Sequence, residues 1–505
     1  MSIGAVAILV TLATAAVFTL MAVLHISRQH MDLEEFTTSR NHFGTRSALA
    51  TIVASSMGAW ILFSPPEAGS AFGGLSAVLG YGIASTLAVV TFVVLGPRLR
   101  RLMPAGHSLT EYARHRYGLP MQGLTEAVMF LYMFVYLAAE LTAIAKALQL
   151  LANVPLGLTA LVVITAVFIY TLYGGLRASI YTDRLQFFVI VPLLMFAFGA
   201  AIFSLGGWDA ATDPVVAMAP TVADLGDRSG VRFGWTLIIA IGAAEIFNQG
   251  NWQRVYACKS DRVLRNAFLG AAFLFILPMV ILAGLLGIFA VQFGISGDTA
   301  YFQLLQQLAV PAWFLAIVMV LAVALVMSSM DTLLNGMGSL FTLDLVELLP
   351  RATPSTILKL SRILTVLIGL PAVWIASQGY SVLYIFLIAD LVCAGVVFPL
   401  LFGLYSRRVS GINALVSSVI GIATGVLFFP KPDFSPLVTG LPGAGDLLVS
   451  FGSALASSVA ICLAWIAIAR ALGSRYHFDF KHLREDVQIY GAASNLRPKA
   501  SAPIR

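Results

Sequence analysis

ATIVASSMGAWILFSPPEAGSAFGG, residues 50–74, is the stretch on which the fold turns. It opens as an ordinary apolar helix and then meets Pro65-Pro66 and Gly69. A bare peptide group in lipid costs several kcal/mol, so a membrane helix breaks only where protein or a water-lined cavity shields it. FGWTLIIAIGAAEIFNQGNWQRVYA, residues 233–257, reads the same way, with Glu245, Asn248, Gln249 and Asn251 crowded around Gly242 and Gly250. Two interrupted spans at corresponding places point to a binding site at mid-depth.

The rest of the chain supports a membrane setting. Of its 505 residues, 59% are hydrophobic and 11% charged, whereas soluble domains carry about 25% charged residues. Spanning-length apolar stretches of roughly 20 residues fall at 3–25, 47–71, 75–97, 119–151, 156–174, 180–205, 233–256, 264–293, 311–338, 360–378, 380–404, 411–429 and 446–470. The first lacks a basic leader and reads as a retained helix, not a cleaved signal. With the N-terminus outside, 26 of the 30 Lys and Arg lie on the cytoplasmic side. Arg228, Arg232 and Lys431 fall outside, and Lys146 lies within the fourth span. This asymmetry is the positive-inside bias and gives thirteen spans, N-out and C-in, in a cell membrane. It also accounts for the net charge of +6 without nucleic acid. The expected organisation is one transmembrane domain over 1–470: an extra helix at 3–25, repeats at 47–205 and 233–404, and two final helices at 411–470. A cytoplasmic tail follows at 471–505. Residues 206–231 and 430–445 read as external caps. Spans 2–6 and 7–11 are five apiece, and an odd number inverts topology, so they form two inverted repeats, each opening with a broken helix.

Ionisable residues within spans are Glu67, Glu126, Glu140, Lys146, Glu245, Asp331 and Asp390. Each is costly in lipid and faces the interior or water; Glu126 and Lys146 sit near span ends and are read as snorkelling. Glu140 and Lys146 are six apart and share no helix face. Ser328-Ser329-Met330-Asp331-Thr332 gathers oxygen ligands of the type that hard cations take. Cys258, Cys393 and Cys462 have no metal or disulfide spacing.

Four stretches carry a family likeness: DLEEFTTSRNHFG at 32–44, YGGLRASIYTDRLQ at 173–186, NQGNWQRVYACKS at 248–260 and SSMDTLLNGMGSLFTLDL at 328–345. In them the chain resembles the sodium/solute symporters, over about residues 3–470. The resemblance implies an all-α integral membrane protein with thirteen helices and a 5+5 inverted-repeat core of LeuT type. It places Na⁺, the coupling ion, on the carbonyls of Ala54, Met57 and Leu325 and the hydroxyls of Ser328 and Ser329. A second cation or proton site would use Asp183, Asp331 and Thr332. The implied substrate pocket holds Trp60, Ser64 and Glu67 with Glu245, Asn248 and Gln249, and Phe247 as a further wall. The second span is most similar to the proline-symporter branch, which carries Asp where this chain has Ser56.

The expected activity is Na⁺-coupled symport of a small polar solute by alternating access. A proline-like amino acid, urea or another amide, and an organic cation or carboxylate all remain open as substrates. A proton-coupled symporter using Asp331 or Glu245 is the alternative. A transporter-like sensor would need an output domain, for which the tail is too short. No phosphate loop, HExxH or GxSxG motif marks an enzyme. Membrane lipid and the solute are the expected partners, and no oligomeric state is assigned.

Overall fold

The computed structural model describes residues 3–26, 37–485 and 487. Residues 32–36 of the first family-like stretch, and the final SNLRPKASAPIR, lie outside them.

The chain is built of helices α1 (Ile3–Ile26), α2 (Thr45–Ser56), α3 (Ser64–Ala71), α4 (Gly74–Leu102), α5 (Leu119–Ala152), α6 (Leu156–Ser204) and α7 (Arg228–Ala244). These are followed by α8 (Gln249–Ala257), α9 (Asp261–Ala271, continuing to Phe293 through a π turn), α10 (Ala312–Leu348), α11 (Pro354–Ser377), α12 (Val382–Phe402), α13 (Gly411–Phe428) and α14 (Leu447–Ala471). Among the described residues, ten helices are long and apolar enough to cross a membrane. Helices α2 and α3 pass the same test of length and composition together, bent by 56° at their break. Ile8–Leu24 and Leu156–Ile169 are shorter apolar helices. The protein is a multi-pass membrane protein, and side chains such as Phe188, Leu274 and Trp374 face outward from the bundle.

The first break does not lie at the prolines. Met57 leaves the helical region (φ −96°, ψ 100°) and Gly58 is fully extended (φ −99°, ψ −179°). Pro65 and Pro66 instead occupy the first turn of α3, where a missing N–H forfeits no helical hydrogen bond. Gly58 is required by contact, not by torsion: a Cβ there would lie 1.9 Å from Glu140 Oε1. The second break follows a 3-10 turn at Glu245–Phe247. Asn248 is extended (φ −83°, ψ 107°), and its side chain accepts the Gly250 N–H at 3.0 Å, capping α8. Gly242 remains inside α7. A sharp corner also divides α6, at Gly175 with φ 52°, a torsion that glycine adopts without steric cost.

Helix α10 is buried along most of its length and packs on α1, α5, α6 and α11. Helices α4 and α7 cross on glycines: a Cβ on Gly80 would meet Gly234 Cα at 2.2 Å. Close backbone approach through small residues is how membrane helices gain packing energy without a hydrophobic drive between them. The chain turns between α11 and α12 at Gly379 (φ 68°), and α13 pairs with α14 outside the core helices.

Candidate functional site

A cavity opens beside both breaks. Its walls come from Ser56 and Trp60 at the first break, Tyr81 and Ser85 on α4, Tyr132 and Tyr136 on α5, Glu245 at the second break, and Phe386 and Asp390 on α12. Trp60 stacks on Tyr81 with ring centroids 5.7 Å apart. Glu245 is held from two sides: Tyr132 donates its hydroxyl at 2.9 Å and Asn251 its amide at 2.7 Å. Asp390 is buried at 4% exposure, and its carboxylate has no hydrogen-bond partner among the described residues. None of the cavity-lining residues is basic. The site is therefore an aromatic box with two carboxylates.

Thr51 of α2 and Arg254 of α8 meet α6 and α10 in a second, fully buried cluster. Asp183 accepts hydrogen bonds from Thr51 (2.5 Å), Ser328 (2.7 Å) and the Arg254 guanidinium (2.7 Å). Arg254 also reaches Thr51 at 3.0 Å, Thr332 at 2.8 Å and the Gly250 carbonyl at 3.0 Å. Asp331 accepts from Ser179 at 2.8 Å and Thr182 at 3.0 Å. Charge asymmetry along the sequence puts Arg254 among the 26 basic residues of the cytoplasmic side. The structure buries it within α8 at 1% exposure, because Gly250 lets α8 approach Thr332 closely and the guanidinium then meets Asp183. Without Arg254, Asp183 would be left as an uncompensated buried charge, at a cost of about 3–5 kcal/mol.

Ser328 and Ser329 face this interior, not lipid. Ser329 donates to the carbonyls of Leu325 at 3.0 Å and Val326 at 3.2 Å. Ser328 directs its own hydroxyl hydrogen to Asp183 at 2.7 Å. Ala54 lies in the last turn of α2 and Met57 just beyond it, where helical carbonyls lack intrahelical donors. This region joins α2 to α10, which are packed together.

Of the six residues expected around the solute, Trp60 and Glu245 line the cavity. Asn248 is the α8 cap, and Gln249 donates to the His107 carbonyl at 2.8 Å. Ser64 and Phe247 are buried and are not part of the cavity lining. Glu67 lies outside the cavity lining, bound by the Ser381 hydroxyl at 2.9 Å. Nearby, Lys146 pairs with Asp298 and donates to the Tyr380 carbonyl at 3.0 Å, both in loops just past helix ends. The sequence named Asp390 without a role, and missed Tyr132 and Tyr136. Their spacing of four on one helix face was the available signal.

The sequence profile of the sodium:solute symporter family matches residues 36–421. A spermidine transporter of Candida albicans is 31% identical over 359 residues, covering 70% of this chain and 66% of that protein. A sodium/glucose cotransporter of Vibrio parahaemolyticus is 26% identical, covering 71% of this chain and 73% of its own. The matched stretch spans 62% of a urea active transporter of Saccharomyces cerevisiae, at 24% identity and 83% of this chain. The fold is that of a solved Na⁺-coupled sialic acid symporter, with TM-score 0.73 at 15% identity, covering 92% of this chain and 98% of that one. The chain belongs to the sodium:solute symporter family.

Proposed function

We propose that the protein is a Na⁺-coupled symporter whose solute is a small organic cation bearing amine groups. One observation carries the choice of solute: Glu245 and Asp390 line one aromatic cavity that has no basic residue in its walls. Carboxylates at membrane depth are expensive and are kept where they meet a charged or strongly polar ligand. An ammonium would ion-pair with them and lie against the faces of Trp60, Tyr81, Tyr132 or Tyr136, a favourable cation–π setting. A free amino acid such as proline would bring its own carboxylate into a site that offers two already. The likeness to a spermidine transporter supports the amine reading; the likenesses to sugar and urea transporters support the symport scaffold.

Na⁺ is assigned to Ala54, Met57, Leu325, Ser328 and Ser329. Filling that site ties the broken first span to α10 and favours the conformer with an ordered solute cavity. By linkage, solute then tightens Na⁺ to the same degree. Alternating access follows as the broken helices and their partners rock against the remainder. The arrangement proposed is thirteen spans with a five-plus-five inverted core, N-terminus outside, in the cell membrane. Asp183, Asp331 and Thr332 are kept as a second cation or proton site, with Arg254 as its resident positive charge.

Proteoliposome uptake of radiolabelled spermidine, putrescine, proline and urea, each with and without an inward Na⁺ gradient, tests this. Amine uptake driven by Na⁺ is expected; uptake of proline or urea with none of the amines would overturn the solute. Proton coupling is the second reading, favoured by the unpartnered Asp390. Replacing Na⁺ by K⁺ at fixed pH separates the two.

A further inference from the structure

At the Arg-rich end of the bundle, away from the solute cavity, a second cavity of about 300 Å³ lies between the start of α13 and the end of α14. Arg408, Arg470 and Arg475 line it together with Ser410, Trp465 and His477. No hydrogen bond or ion pair occupies these three guanidinium groups among the described residues. Ser410 is the N-cap of α13, its side chain accepting the Asn413 N–H. The first N–H groups of a helix have no intrahelical partner and carry the positive end of its dipole, so they favour an anion. Ser410 and the three arginines thus share one concave space.

The cavity is also placed at a bilayer boundary. Trp465 is 38% exposed, and Ile468 and Leu472 beside it are 59% and 81% exposed, all on the last turns of a membrane helix or just past it. Tryptophan and arginine at such a level mark the headgroup layer. The wall formed by residues 474–477 is fixed at both ends. Ser474 N–H donates to the Ala469 carbonyl at 2.9 Å and Phe478 N–H to the Arg407 carbonyl at 2.8 Å. Phe478 lies against the Arg116 guanidinium at 4.3 Å and Phe480 against that of Arg407 at 5.4 Å.

We infer that Arg408, Arg470 and Arg475, with the Ser410 hydroxyl beside them, bind a phosphate group, that of an anionic membrane lipid. Guanidinium forks match phosphate oxygens in geometry as well as charge.

The test uses the full-length protein, wild type and Arg408→Gln/Arg470→Gln/Arg475→Gln, in detergent. Phosphatidylglycerol, phosphatidylcholine and inorganic phosphate are titrated separately, with native mass spectrometry and thermal shift as readouts. Wild type is expected to retain and be stabilised by phosphatidylglycerol over phosphatidylcholine. The triple variant is expected to bind it on the order of tenfold to a hundredfold more weakly. A shift from inorganic phosphate alone, lost in the variant, would uphold the phosphate site and overturn the lipid as its source. Equal phosphatidylglycerol binding by both proteins would overturn the site. Spermidine binding to the same samples checks that the variant is folded; should it fail, the single Arg475→Gln variant is read instead.

Discussion

Glu140 on α5 accepts the backbone N–H of Ala59 at 2.8 Å, and so closes the broken end of the first span with a carboxylate from another helix. The N–H of Ala59 begins the short helical turn Ala59–Leu62, whose own residues offer it no acceptor. Glu140 is wholly buried, and Gly58 beside it is the residue that makes room. Gly58→Ala is expected to push the carboxylate away and reshape the break, because its Cβ would fall 1.9 Å from Glu140 Oε1. Glu140→Ala should lower stability by about 1–3 kcal/mol through the unpaired N–H, whereas Glu140→Gln retains an acceptor and should be milder. Melting temperature and uptake of purified variants check this; wild-type behaviour in Gly58→Ala would refute the contact.

The ion pair between Arg254 and Asp183 is buried on both sides, at 2.7 Å. Removing one partner strands the other's charge, so Arg254→Gln and Asp183→Asn are each expected to destabilise the protein by about 3–5 kcal/mol. The double variant should recover a large part of that loss. A thermal-denaturation cycle on the four proteins measures the coupling, and simple additivity of the two single effects would show that they act apart.

Ser328→Ala with Ser329→Ala removes both hydroxyls of the proposed Na⁺ site. The apparent Na⁺ affinity for activation of uptake is expected to fall sharply, with solute affinity at saturating Na⁺ affected less. Uptake that stayed normal at low Na⁺ would exclude these residues as ligands. Ser328→Ala alone also takes one donor from Asp183, so Ser329→Ala gives the cleaner reading of the ion.

Glu245→Gln and Asp390→Asn preserve shape and discard charge. Truncating one side of a buried charge pair costs about 2–5 kcal/mol, so amine affinity should fall by roughly thirtyfold or more in each. Tyr132→Phe removes one donor from Glu245 and should have a smaller effect. Radiolabelled spermidine binding distinguishes these; an unchanged affinity in both charge variants would refute the amine site.

The membrane setting, the two interruptions and the acids beside them were legible because each rests on local chemistry. Apolar run length, loop charge and residues such as Asn248 and Glu245 need no knowledge of distant neighbours. The place of the first break was misread, since Pro65-Pro66 looks like a break in one dimension yet begins a half-helix in three. Gly58 gave no local signal, because its need for a missing Cβ comes from a carboxylate 82 positions along the chain.

Sequence by itself determined that this chain spans a membrane, resembles the sodium:solute symporter family and carries acids within its apolar stretches. Tertiary structure alone decided which charges meet. Arg254 joins Asp183 rather than a loop, Lys146 joins Asp298 of a distant loop, and Glu245 and Asp390 share one cavity. The reason is physical: in a low-dielectric interior a charge needs an opposite charge, hydrogen-bond donors or a cavity open to water or ligand, and helix packing supplies these, which adjacency along the chain does not encode.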